Sequence, residues 1–112
     1  MGGFFEQKKD IIFNHKEYDI AEIDFWSQIN HNEKIKQYFR RSYASWHSSV
    51  KQVISAYYPE CPEEDLTLFS YLIVSMMEGA SWQYLMDEES FDLDRYFKLC
   101  LKVILNTMEK DY

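Results

Sequence analysis

Glycine and proline are scarce in this sequence, three and two among 112 residues. An all-β protein of this length needs more of both for its many turns. Basic charge is also short. Twelve Lys and Arg stand against nineteen Asp and Glu, a formal net charge of −7. Bare phosphate backbones and anionic membranes are therefore poor partners. Only two cysteines occur, Cys61 and Cys100, with no CxxC spacing. Free thiols in a reducing cytoplasm are expected rather than a disulfide framework. No run reaches the ~18 apolar residues of a membrane span. The N-terminus MGGFFEQKK has no apolar stretch followed by a small-residue cleavage site. Met1-Gly2-Gly3 reads as an expression scar.

Catalytic and cofactor motifs are missing as well. So few glycines leave no room for a P-loop, a G-x-G-x-x-G turn or a G-x-S-x-G elbow. His15, His31 and His47 stand in no HExxH and at no zinc spacing. Neither cysteine has an activating neighbour in sequence. No enzyme activity, cofactor or metal is expected, since the site checklist stays almost empty.

What the chain has is apolar and aromatic side chains, 46% and 18% of residues. That is too apolar for disorder and enough for one core in one domain. The expected fold is all-α, a bundle of about four to five helices. Residues 4–17 fit a short helix that docks by Phe4, Phe5, Ile11, Ile12 and Phe13, with a break at Asn14-His15. A second helix is predicted from Tyr18 to Ile29, its apolar stripe running through Tyr18, Phe25 and Ile29. A third should run from Glu33 to Tyr58, capped by Asn30 or Asn32. Ile35, Phe39, Tyr43, Trp46, Val50, Val53 and Tyr57 make its one-sided stripe. Pro59 and Pro62 stop it. A last helix is expected from Leu93 to Met108.

The fourth helix, Leu66 to Met86, differs from the rest in being apolar on two faces. Leu66, Phe69, Ile73, Met76, Met77, Ala80 and Tyr84 form one row. Leu68, Tyr71, Leu72, Ser75, Gly79, Trp82 and Met86 form another. A helix apolar all round is a buried helix, and so small a domain can hardly surround one alone. The first row is expected inward, the second against a partner. Gly79 inside a helix costs ~1 kcal/mol relative to Ala, and a close helix–helix approach is the predicted reason for it. The aromatics mostly belong to a core. As a group they also suit a pocket between helices, joined by Met76 and Met77, with Tyr hydroxyls, Gln28, Ser42 and Glu78 as orienting groups.

Two stretches carry a family resemblance. One is EIDFWSQINHNEKIKQYFRRSYASWHSSV (22–50). The other is YLIVSMMEGASWQYLMDEESFDLDRYFKLCLKVIL (71–105), above all Met76-Met77-Glu78-Gly79-Ala80, then Tyr84-Leu85-Met86-Asp87 and Phe91-Asp92-Leu93. From about Tyr18 onward the chain resembles the C-terminal regulatory domain of TetR-family transcriptional repressors. The resemblance implies a regulatory domain over 18–112, with 1–17 a connecting segment. It implies a cytoplasmic homodimer in which the last two helices of each subunit build a four-helix bundle. Dimer residues would come from Leu68, Leu72, Ser75, Gly79, Trp82, Tyr96, Leu99 and Val103. It implies a pocket for a small hydrophobic effector, lined by Phe25, Trp26, Phe39, Tyr43, Trp46, Met76 and Met77. DNA would be reached only through a helix-turn-helix head that this sequence lacks, and no membrane is implied. The alternative is a helical dimerisation module with no small-molecule site.

Overall fold

A computed structural model describes residues 1–112 as five helices with no strand. In chain order they are α1 (Gly3–Asn14), α2 (Lys16–Trp26), α3 (Glu33–Tyr57), α4 (Glu63–Met86) and α5 (Leu93–Asp111). The all-α expectation is met.

Local chemistry sets the helix boundaries. Asn32 has extended backbone, and its side chain accepts from the amides of Lys34 and Ile35 at 3.0 and 3.2 Å. Two of the four amides that α3 leaves open are thus satisfied. Asp92 caps α5 in the same way, accepting from the Arg95 amide at 3.1 Å. α4 has no side-chain cap; Pro62 precedes it, and Glu63, Glu64 and Asp65 fill its first turn. Their negative charge complements the exposed amides there.

The core follows from helical stripes. α5 buries Leu93, Phe97, Cys100, Ile104 and Met108, all on one face. α4 packs against α1, α3 and α5 and is the central element. Its inward row behaves as expected: Leu66, Ile73, Met77 and Ala80 are buried, Phe69 and Met76 half-buried. α1 buries Phe5 and Ile12 in the same core, and the Phe5 ring lies 5.1 Å from that of Phe97. Each such fully buried side chain contributes roughly 1.5–3 kcal/mol.

Two features bear on function. The molecule is flat, 40 × 36 × 18 Å across its Cα atoms. Its thin dimension admits about two layers of helices at ~8–10 Å spacing. α4 is therefore covered on one side only. Leu68, Leu72, Ser75, Gly79 and Trp82 are all exposed, as are Leu99 and Val103 on α5, while Tyr96 is half-buried. The second feature is α2. It ends at Trp26, short of the expected Ile29, where the chain turns and the Ser27 hydroxyl donates to the Asp24 carbonyl at 2.7 Å. Its expected stripe is not core. Tyr18 and Phe25 are exposed, and the residue α2 does bury is Asp19. Tyr18 and Phe25 face a void, while Ile29 lies away from it, half-buried.

Candidate functional site

That void is a cavity of about 1000 Å³ between the first four helices. Ligand sites in proteins run from ~300 to ~1,000 Å³, so it has room for a drug-sized molecule. α1 supplies Phe4, Gln7, Lys8 and Ile11. α2 supplies Tyr18, Asp19, Ala21, Glu22 and Phe25. α3 supplies Ile35, Tyr38, Phe39, Ser42, Tyr43 and Trp46, with Asn32 and Lys34 at its start, and α4 supplies Glu78. Seven of the eighteen wall residues are aromatic. Tyr43 lies with its ring 6.3 Å from Phe39 and 5.9 Å from Trp46.

One end is polar and tightly connected. The Lys8 ammonium is 3.1 Å from Asp19 Oδ1 and 3.1 Å from Glu78 Oε1. It also lies 5.6 Å from the centre of the Trp46 ring, within reach of a cation–π attraction. The Tyr43 hydroxyl is 2.6 Å from Glu78 Oε2 and 2.9 Å from Glu22 Oε1. Asp19 Oδ2 is buried with no hydrogen bond, and Glu78 Oε1 meets Lys8 as an ion pair outside hydrogen-bond alignment. Carboxyl groups thus outnumber the cation that faces them.

The electrostatics follow from burial and this imbalance. Burial, then the hydrogen bond and charge of Glu78, push the Glu22 carboxyl up to about 7. Burial opposes the charge on Lys8, but Glu78 and Asp19 outweigh it and hold the ammonium above its ordinary range. Burial and then Glu78 also raise the Tyr43 phenol. Lys8 and Tyr43 therefore keep their protons at neutral pH, and neither is a nucleophile there. The arrangement suits binding: aromatic walls for an apolar body, acceptors at one end for a donor.

Of the seven effector residues predicted from the sequence, the structure brings Phe25, Phe39, Tyr43 and Trp46 together on the cavity wall. Trp26 lies elsewhere. It stands behind the cavity wall, its ring 6.5 Å from that of Phe39 and 5.9 Å from that of Trp82, beside a small crevice. Met77 is fully buried in the core and Met76 packs against it. The reason is rotation along α4: with 100° between successive residues, Glu78 is the side chain that reaches the cavity. Of the orienting groups, Ser42 and Glu78 line the wall and Gln28 does not. His47 stands behind Tyr43, its ring 4.4 Å from Tyr71, and burial lowers its pKa.

Sequence reasoning missed Lys8, Asp19 and Glu22. A signal for Lys8 existed. It falls between Phe5 and Ile12 at helical spacing, a cation on an apolar stripe, and such a residue needs a buried counter-charge. Glu78, the lone charge between Asp65 and Asp87, is that counter-charge.

The model of one protein family, the C-terminal domain of BetI-type transcriptional repressors, matches residues 20–107. No curated protein and no solved structure matches the chain. The match spans most of the chain, which therefore belongs to that family and is a TetR-like regulatory domain of a transcription regulator.

Proposed function

We propose that this BetI-type regulatory domain binds a small, largely apolar effector in the cavity of α1–α4 and homodimerises through the outer faces of α4 and α5. The observation that carries the first half is the aromatic cavity with its polar end, large enough for a ligand and lined by exposed Tyr18, Phe25 and Tyr38. The second half rests on the exposed row Leu68, Leu72, Ser75, Gly79 and Trp82 of α4, together with exposed Leu99 and Val103 on α5. Five exposed large apolar side chains, Leu68, Leu72, Trp82, Leu99 and Val103, with the small Ser75 and Gly79 among them, are of the kind that marks an interface. Operator DNA is then contacted by a helix-turn-helix head outside this chain, and the protein works in the cytoplasm. No helix is long and apolar enough to cross a membrane.

Two measurements test the reading. The neutral fluorophore N-phenyl-1-naphthylamine should bind with a rise in emission, and Ser42→Trp, which places an indole in the cavity, should weaken that rise. Light scattering at micromolar concentration should give the mass of a dimer. Absence of fluorophore binding overturns the effector cavity and leaves a plain dimerisation module; a monomeric mass overturns the dimer.

A further inference from the structure

The three-way contact of Glu22, Tyr43 and Glu78 requires one proton more than the phenol supplies. A tyrosine hydroxyl has a single proton to donate. Glu78 Oε2 is the nearer acceptor at 2.6 Å, so Tyr43 donates to it. The second contact, 2.9 Å to Glu22 Oε1, then has no phenol proton of its own, and Glu22, which also lies within hydrogen-bond reach of Glu78, is satisfied only when it carries a proton itself. With Glu22 ionised, two lone pairs would face each other. The groups around Glu22 leave no other donor. Lys8 on α1 is engaged by Asp19 and Glu78. Asp19, on the same helix as Glu22, is another acceptor, with Oδ2 unpartnered and the residue 96% buried (4% exposed). Tyr43 on α3 is engaged by Glu78, His47 lies behind it, and Lys34 stands at the start of α3.

We infer that the effector of this cavity is a primary or secondary amine on an apolar body, and that its ammonium group replaces the proton held by Glu22. The inference rests on the effector-cavity reading above. On binding, the Glu22 O–H bond breaks and the proton passes to solvent. An ammonium N–H then donates to the Glu22 carboxylate, so the charge of the site is unchanged. A second N–H can turn toward Asp19, where an acceptor is unpaired. Tyr38, Phe39 and Trp46 take the apolar body, and ring faces attract the cation as well. A quaternary ammonium has no N–H and would leave Glu22 without a donor. A neutral ligand would leave the proton in place. Glu22 titrates near 7, so the exchange operates at neutral pH.

Calorimetric titration with 4-phenylbutylammonium and with 4-phenylbutanol, each in two buffers of different ionisation heat, tests this. The amine should release about one proton per site at pH 6 and almost none at pH 8. Its affinity should be about tenfold higher at pH 8 than at pH 6. The alcohol should release no proton. Glu22→Gln should remove the pH dependence of amine binding, with helical circular dichroism as the check of folding. The measurement on the unaltered protein decides by itself if that variant does not fold. Amine binding without proton release at pH 6, or alcohol binding as tight as amine binding at pH 8, overturns the exchange. If neither probe binds while N-phenyl-1-naphthylamine does, the exchange is wrong and the effector cavity stands. If that fluorophore also fails, both fall.

Discussion

Lys8 and Glu78 meet at 3.1 Å with both side chains largely withdrawn from water, so a buried ion pair ties α1 to α4. The same ammonium holds Asp19 of α2 at 3.1 Å. Removing one member of such a set is costly because the others stay behind uncompensated. Lys8→Met keeps the length and the apolar stem but strands two carboxylates. The expected loss is about 3 kcal/mol of unfolding free energy, read from urea denaturation at pH 7. An unchanged urea midpoint would show that the pair contributes nothing.

Glu22 gives the fold a pH dependence of definite sign. Its carboxyl is raised to about 7 in the folded chain, chiefly by burial. Between the ordinary carboxylate range and about 7 the folded state holds a proton that the unfolded chain has released. Stability then falls as pH rises through that window. Thermal midpoints measured from pH 5 to pH 8 should drop more steeply for the unaltered chain than for Glu22→Gln. Parallel curves would count against the raised carboxyl.

Gly79 separates fold from assembly. A Cβ built at this position meets nothing within 4 Å in the chain itself. Within the subunit a larger residue should be harmless, and replacing Gly in a helix gains up to ~1 kcal/mol. Gly79→Leu is therefore expected to retain full helicity while lowering the scattering mass from dimer to monomer. A dimer that survives the substitution would move the seam away from Gly79.

Asn32 has two duties at one place, capping α3 and lining the cavity. Asn32→Ala should cost about 1 kcal/mol, measured by denaturation. Asn32→Asp should restore the stability, because a carboxylate accepts the same two amides. If both variants lose equally, the cap is not what holds the start of α3.

The helices were largely legible in the sequence because their signals are local. The Phe39 to Val50 stripe of α3, the prolines after it and the acids opening α4 all act locally; past Val50 the expected stripe slips by one residue, since Ile54 is buried while Val53 is half-buried and Tyr57 exposed. The one-sided exposure of α4 was legible too, since two apolar rows cannot both be covered in a chain this short. The polar end of the cavity was not. It joins residues 8, 19, 22, 43 and 78 from four helices, and no periodicity reports which charged side chains will meet. Trp26 and Met77 failed as cavity residues for a related cause. Composition names them as ligand-friendly, but the rotation of α2 and α4 decides where they point.

The three tryptophans are distributed so that light can distinguish the two proposed events. Trp46 stands on the cavity wall beside Lys8, while Trp82 lies on the outer face of α4 with the Trp26 ring tilted against it at 5.9 Å. A molecule entering the cavity would perturb Trp46 emission directly. A second subunit settling on α4 would dehydrate the Trp26–Trp82 pair and alter its exciton-coupled near-ultraviolet dichroism. Occupancy thus reads chiefly on Trp46 and assembly chiefly on Trp82, and the chain needs no attached dye to show which of the two comes first.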